Sequence, residues 1–214
     1  MPQKLSAHGY RTITVWIVLA IAAIAATGCG DTDSDEYSHA PATTDATQLI
    51  PHGLSWRTYQ DIDLPIAVQG PRLIDGAITT DFDRSPVGAA LAAIHATVRM
   101  SVAPDGQWAS VGQRMIAPGR GRDTWATARA QISITTAATD MAPNILGYLV
   151  TAYADTEAQV QTYSTYPDRS ITRNTAHVIW ATDGWRLRLP DTVTESPVTA
   201  VDSVPNDIVA LPKP

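Results

Sequence analysis

NILGYLVTAYADTEAQVQTYSTY, residues 144–166, is the stretch that decides the fold. Leu146, Tyr148, Val150 and Ala152 recur at every second position within it. A period of two sends successive side chains to opposite faces, so the spacing predicts a half-buried strand rather than a helix. Asp155-Thr156 turns the chain, and AQVQTYSTY continues in the same alternation. After a polar break at 167–173, AHVIWAT runs to Asp183-Gly184, a dipeptide suited to a two-residue hairpin turn. Trp185-Arg186-Leu187-Arg188-Leu189-Pro190 then places Trp and Leu on one face and Arg on the other. The pattern predicts three or four antiparallel strands in a meander.

Upstream the period changes. Ser85-Pro86 opens a helix that runs to Met100, because Ser accepts from free first-turn amides and Pro has no amide to leave unpaired. Val87, Leu91, Ile94 and Val98 form its apolar stripe, and small residues (Gly88, Ala89, Ala92, Ala93, Ala96) predict close packing on a sheet or a second helix. Pro104-Asp105-Gly106 ends it. A second helix is expected from Asp123 to Ile132, capped by Asp123, with Trp125, Ala128 and Ile132 buried. Residues 54–74 read as an extended, looped lead-in pinned by Trp56, since Pro65 and Gly70-Pro71 interrupt any helix. Helices followed by a meander describe an α+β domain over residues 51–190, with the helices stacked on the sheet. Residues 191–214 hold several prolines and little periodicity, and are expected to form a flexible tail.

The N-terminus carries an address. Lys4 and Arg11 precede TITVWIVLAIAAIAATG, residues 12–28, which has no charge; Cys29 and the acids Asp31, Asp33, Asp35 and Glu36 follow. A basic start, an apolar core and small residues at the end form a secretory signal, with the residues after 29 translocated. Ala26-Thr27-Gly28-Cys29 resembles a bacterial lipobox, in which the Cys29 thiol is acylated. Three outcomes are open: a lipid anchor on Cys29, an uncleaved signal anchor, or ordinary cleavage. Each places the domain outside the cytoplasm, and the first two hold it on the cell membrane. Residues 30–50, rich in Asp, Ser, Thr and Ala, read as a flexible tether.

Composition excludes some classes. The formal charge is −6, and no basic patch interleaved with aromatics occurs, which argues against nucleic-acid binding. A single cysteine excludes an internal disulfide and a Cys-rich zinc site. No Gly-rich phosphate loop, GxSxG, HExxH or CxxC motif is present, and no cofactor or metal is expected.

The residues that remain as candidates are few. His95, on the first helix, is the candidate general base, with Asp81, Asp83 or Tyr148 as its neighbour; the alternative is a packed histidine bonded to the chain. His95 with His177 is a weak metal pair that lacks a third ligand. Asp61 and Asp63 alternate as paired carboxylates would, or as an exposed loop would. Arg186 and Arg188 present a basic strand face to solvent or to an acidic partner. Trp125, Tyr148, Tyr153, Tyr163, Tyr166, Trp180 and Trp185 either line a pocket or pack the sheet.

Trp56-x-x-Tyr59, Asp63-Leu64-Pro65, Gly70-Pro71, the run Ser85-Pro86-Val87-Gly88-Ala89-Ala90-Leu91-Ala92-Ala93, and Trp180 before Asp183-Gly184-Trp185-Arg186-Leu187 occur in that order. This resembles a family of small actinobacterial membrane-anchored proteins often encoded on integrative and conjugative elements. That family is similar to the NTF2-like extracytoplasmic domains of conjugation-channel assembly proteins. The resemblance implies an NTF2-like cone and a structural subunit of a transfer or secretion apparatus, with protein partners, possible oligomers and no catalytic residues to carry over. Two other readings stand beside it: an envelope lipoprotein that binds a small apolar ligand between helix and sheet, and an isomerase- or dehydratase-like enzyme resting on His95.

Overall fold

The computed structural model describes residues 49–135, 137 and 141–213. The signal, lipobox and Cys29, and all but the end of the tether, lie outside the described residues. Among the described residues no helix is long and apolar enough to cross a membrane.

The first 35 described residues form hairpins rather than a looped lead-in. Strand β1 (Ser55–Tyr59) pairs antiparallel with β2 (Ile62–Ile66), and β3 (Leu73–Asp75) pairs with β4 (Ile78–Thr80). Gln60 and Asp61 both take positive φ (51° and 60°), the geometry of a tight hairpin turn that Asp tolerates better than most residues. Trp56 does pin this region: its Nε1 donates to the carbonyl of Pro212 at 3.2 Å.

Helix α1 (Pro86–Val102) starts where the sequence places it. The Ser85 hydroxyl accepts from the amide of Gly88 at 3.1 Å, and Pro86 occupies the first turn. Every residue from Val87 to Ala96 is buried, so this part of α1 is enclosed on all sides and not along one stripe only, while Ser101 near its end is exposed. The main sheet packs on one side of it and the N-terminal hairpins on the other. Helix α2 (Trp108–Met115) has no counterpart in the sequence reading. Helix α3 spans Arg120–Arg129, starting and ending three residues earlier than expected. Its cap is Gly119 and not Asp123, which lies in the first turn. Ala128 and Ile132 are exposed; the buried residue of its last turn is Arg129.

Strands β5 (Asn144–Ala154), β6 (Glu157–Thr165), β7 (Ile171–Ala181) and β8 (Gly184–Arg188) form the expected antiparallel meander. The fold is therefore α+β, with three helices among the described residues and a mostly antiparallel sheet. The two hairpin turns fall at Asp155-Thr156 and at Thr182-Asp183, the second one residue earlier than the Asp183-Gly184 signal suggests. In β5 the simple alternation fails. Bulges leave Leu146 and Thr151 without partners opposite, so Ile145, Tyr148, Val150 and Tyr153 share the helix-facing side with the buried Ala158, Val160 and Thr162 of β6. An extra residue on one strand swaps faces for everything beyond it.

The segment expected to be a flexible tail completes the sheet. Strand β9 (Val198–Val201) pairs with the first half of β7, and β10 (Val209–Ala210) pairs with β5 at the opposite edge. Leu211 is 3% exposed. These strands are held by backbone pairing more than by buried side chains, which is why their sequence lacks a periodic signal. Between them the chain crosses the far side of the sheet, where Ile208 packs over the bare Cα of Gly147, the cross-strand neighbour of buried Tyr163.

Candidate functional site: a groove at a break in the sheet edge

β8 and β9 lie end to end along one edge of β7. The β8 register stops at His177↔Arg188 and the β9 register starts at Asn174↔Val198. Between them the chain from Leu189 to Pro197 loops away, and the Thr175 amide donates to Pro197 O at 2.9 Å where it returns. The break opens as a groove of about 640 Å³ between the C-terminal half of α1, the start of α3 and the sheet edge. Met100, Leu187, Leu189 and Val198 supply apolar walls, and Arg120, Arg122 and Arg188 stand in its lining. A second cavity of about 270 Å³ lies on the other side of Thr97, Ser101, Asn174 and Val198, against Ile94, Ile145 and Tyr166. The hydroxyls of Thr97 and Ser101 are turned back onto α1, donating to Ala93 O and Thr97 O at 2.8 Å. This takes the two hydroxyls out of the shared wall and leaves Asn174 as its polar side chain.

Gly121 shapes the groove. Its Cα lies so close to the β8 exit that a Cβ there would sit 2.5 Å from Leu189 O. The start of α3 thereby touches the backbone of Leu189 and Pro190, and Asp191 Oδ1 accepts from the Gly121 amide at 3.3 Å.

Of His95, Trp125, Tyr148, Trp180, Trp185, Arg186 and Arg188, all singled out from the sequence, Arg188 alone lines this groove. His177 lines it as well and pairs with Gln159 across the strands, Nε2 to Nε2 at 3.0 Å. His95 is fully buried elsewhere: Nε2 lies 2.9 Å from Pro65 O and the ring meets Phe82 edge-on at 5.7 Å. Burial pushes its pKa down to about 3, with Arg99 adding to the effect and the Pro65 carbonyl opposing it. The candidate base therefore has neither the acid nor the tyrosine proposed for it. Asp81 and Asp83 are both taken by Arg72. Tyr148 is buried with its hydroxyl donated to Leu49 O, and burial raises its pKa. His95 and His177 do not converge on a metal, and no group of three or more metal-ligating side chains occurs among the described residues.

Asp61 and Asp63 also separate. Asp61 is a turn residue, while Asp63 accepts from Lys213 and from Thr58 at 2.7 Å, contacts that hold its carboxyl below the usual range. Of the aromatics, Tyr166 lines the second cavity and Tyr153 another of about 280 Å³, while the tryptophans pack. Trp185 is buried, donates from Nε1 to Asp83 O at 2.8 Å, and meets Trp180 edge-on at 5.3 Å with Tyr153 alongside at 6.1 Å. Trp125 stands edge-on to Trp108 at 5.9 Å, and Arg186 pairs with Asp183 at 2.9 Å. Sequence reasoning missed Arg120 and Arg122, and their one visible signal is the Pro118-Gly119-Arg120-Gly121-Arg122 run at the start of α3.

No curated protein and no solved structure matches the chain. The family described as domain of unknown function DUF8175 matches it over residues 22–208. With most of its length matched, the chain belongs to the DUF8175 family.

Proposed function

We propose that the protein is a non-enzymatic, membrane-tethered domain on the outer face of the cell membrane that acts in protein–protein assembly, as in a conjugation or secretion apparatus. The observation that carries this reading is the open groove. Its walls are apolar, its lip is basic, and the imidazole that a catalytic reading needs is sealed under Pro65 and Phe82. Such a surface suits a partner that covers it better than a substrate that reacts in it. The element order supports an NTF2-like cone: a long enclosed helix, two short helices, then a meander bent by two β5 bulges. The apolar segment before Cys29 supports export and anchoring. Mild crosslinking of the full chain in its membrane, followed by mass spectrometry, tests the assembly role. Co-recovery of channel or ATPase components is expected; recovery of the protein alone would sink it.

A second reading, a lipoprotein that binds a small apolar ligand between helix and sheet, is favoured by the volume and the apolar walls of the same groove.

A further inference from the structure

The lip of the groove carries more positive charge than its surroundings account for. Arg120 and Arg122 flank Gly121, Arg188 precedes Leu189, and with Gly121 packed on Leu189 all three arginines stand in the lining of the groove. Arg122 has one loose contact, 3.7 Å to Asp123, and no ion pair forms on Arg120 or Arg188 among the described residues. Asp191, on the Gly121 amide, is the one acid in the lining. The chain as a whole has a formal charge of −6, so this cluster runs against the prevailing sign. Like charges held together at an apolar opening favour an anion between them.

We infer that the groove binds a small apolar carboxylate of the medium-chain fatty-acid class. Its hydrocarbon lies against Met100, Leu187, Leu189 and Val198, and its carboxylate sits among Arg120, Arg122 and Arg188. This rests on the small-ligand reading above and adds the charge that reading lacks. A volume of about 640 Å³ suits a small molecule with a substantial apolar body and is far more than a bare inorganic ion fills. A carboxylate matches the planar fork of a guanidinium with two parallel hydrogen bonds. Asp191 already presents a carboxylate oxygen to the Gly121 amide at this spot. A neutral ligand of the same shape leaves the cations uncompensated.

The test uses the full chain with two photoactivatable probes, a dodecanoic acid and the matching dodecanol, each with a diazirine near the chain end. Labelled peptides are mapped by mass spectrometry. The acid is expected to label peptides containing Met100, Leu187, Leu189 or Val198, and the alcohol to label them roughly tenfold less at equal concentration. R120Q and R188Q, both at exposed positions, are expected to cut labelling by the acid several-fold with an unchanged melting temperature, and D191N to raise it. Equal groove labelling by acid and alcohol overturns the carboxylate inference and leaves the small-ligand reading intact. No groove labelling by either probe overturns both. Labelling by the acid that ignores R120Q and R188Q overturns the placement of its head group.

Discussion

His95 Nε2 lies 2.9 Å from the carbonyl oxygen of Pro65, tying α1 to the N-terminal hairpin across the core. A carbonyl only accepts, so Nε2 carries the proton, and Nδ1 is left buried without a partner. The folded state holds the imidazole neutral down to a pKa of about 3, against an ordinary value of 6.5. Unfolding therefore takes up a proton between those values, and stability falls as the pH drops from 6.5 toward 3, by at most about 1.4 kcal/mol per pH unit. Above pH 6.5 the contribution is complete and flat. The carboxylates held low by their partners, Asp63, Asp105 and Asp168, begin to contribute only within about a unit of their ordinary 3.8, so the upper part of this window belongs to His95. Urea midpoints between pH 7 and pH 4 should slope in the native chain and flatten in His95→Gln; equal slopes would refute the assignment.

Arg129 is buried at 4% exposure and closes α3 onto the end of α1. Its Nη2 donates to Ala103 O at 2.8 Å and to Asp105 Oδ1 at 3.0 Å, and the guanidinium lies 5.7 Å from the centre of the Trp108 ring. Arg129→Leu removes the charge but strands a buried carbonyl, so a loss of about 2–4 kcal/mol is expected in chemical denaturation. Asp105→Asn, which keeps an oxygen to accept from Arg129, should cost less than Arg129→Leu in the same measurement.

Gly88 sets one small effect against a larger one. Alanine inside a helix is worth roughly 1 kcal/mol over glycine. Here a Cβ would stand 2.0 Å from Asp83 O, a backbone atom that also accepts from Trp185. The clash should win, and Gly88→Ala is expected to lower stability by about 1–3 kcal/mol. A rise in the melting temperature would show that the 81–85 turn yields freely.

Leu211 tests the C-terminal segment. If residues 198–211 are integral to the domain, Leu211→Ala should cost about 2–4 kcal/mol, as for a buried core leucine. A flexible tail predicts no change.

The sequence made some of this plain and hid the rest for identifiable reasons. Ser85-Pro86 marked the start of α1 because cap chemistry is local. The alternation of Trp185, Arg186, Leu187 and Arg188 marked β8, since one face is buried and the other is not. In β5 the same logic assigned Leu146 and Ala152 to the core in place of Ile145 and Tyr153, because a bulge is set by the partner strand and leaves no mark on the period. Helix α2 buries only Val111, Gly112 and Met115, too little for a readable stripe. The groove could not be read at all: Arg120 and Arg188 are 68 positions apart and line one groove where Gly121 packs on the backbone of Leu189. His95 was visible as a candidate, but its burial under Pro65 depends on a hairpin that residues 54–74 did not announce.

β9 and β10 flank opposite edges of the sheet, though only Asp202 to Ile208 separates them. Four inter-strand steps of about 4.8 Å each lie between those edges, so this short connection spans nearly 20 Å. The edge of β5 and the first half of β7 therefore both stay bare until residues 198–210 are in place, whereas the second half of β7 is already covered by β8. Cleavage within the 202–208 connection would loosen two pairing edges at once and favour self-association through them.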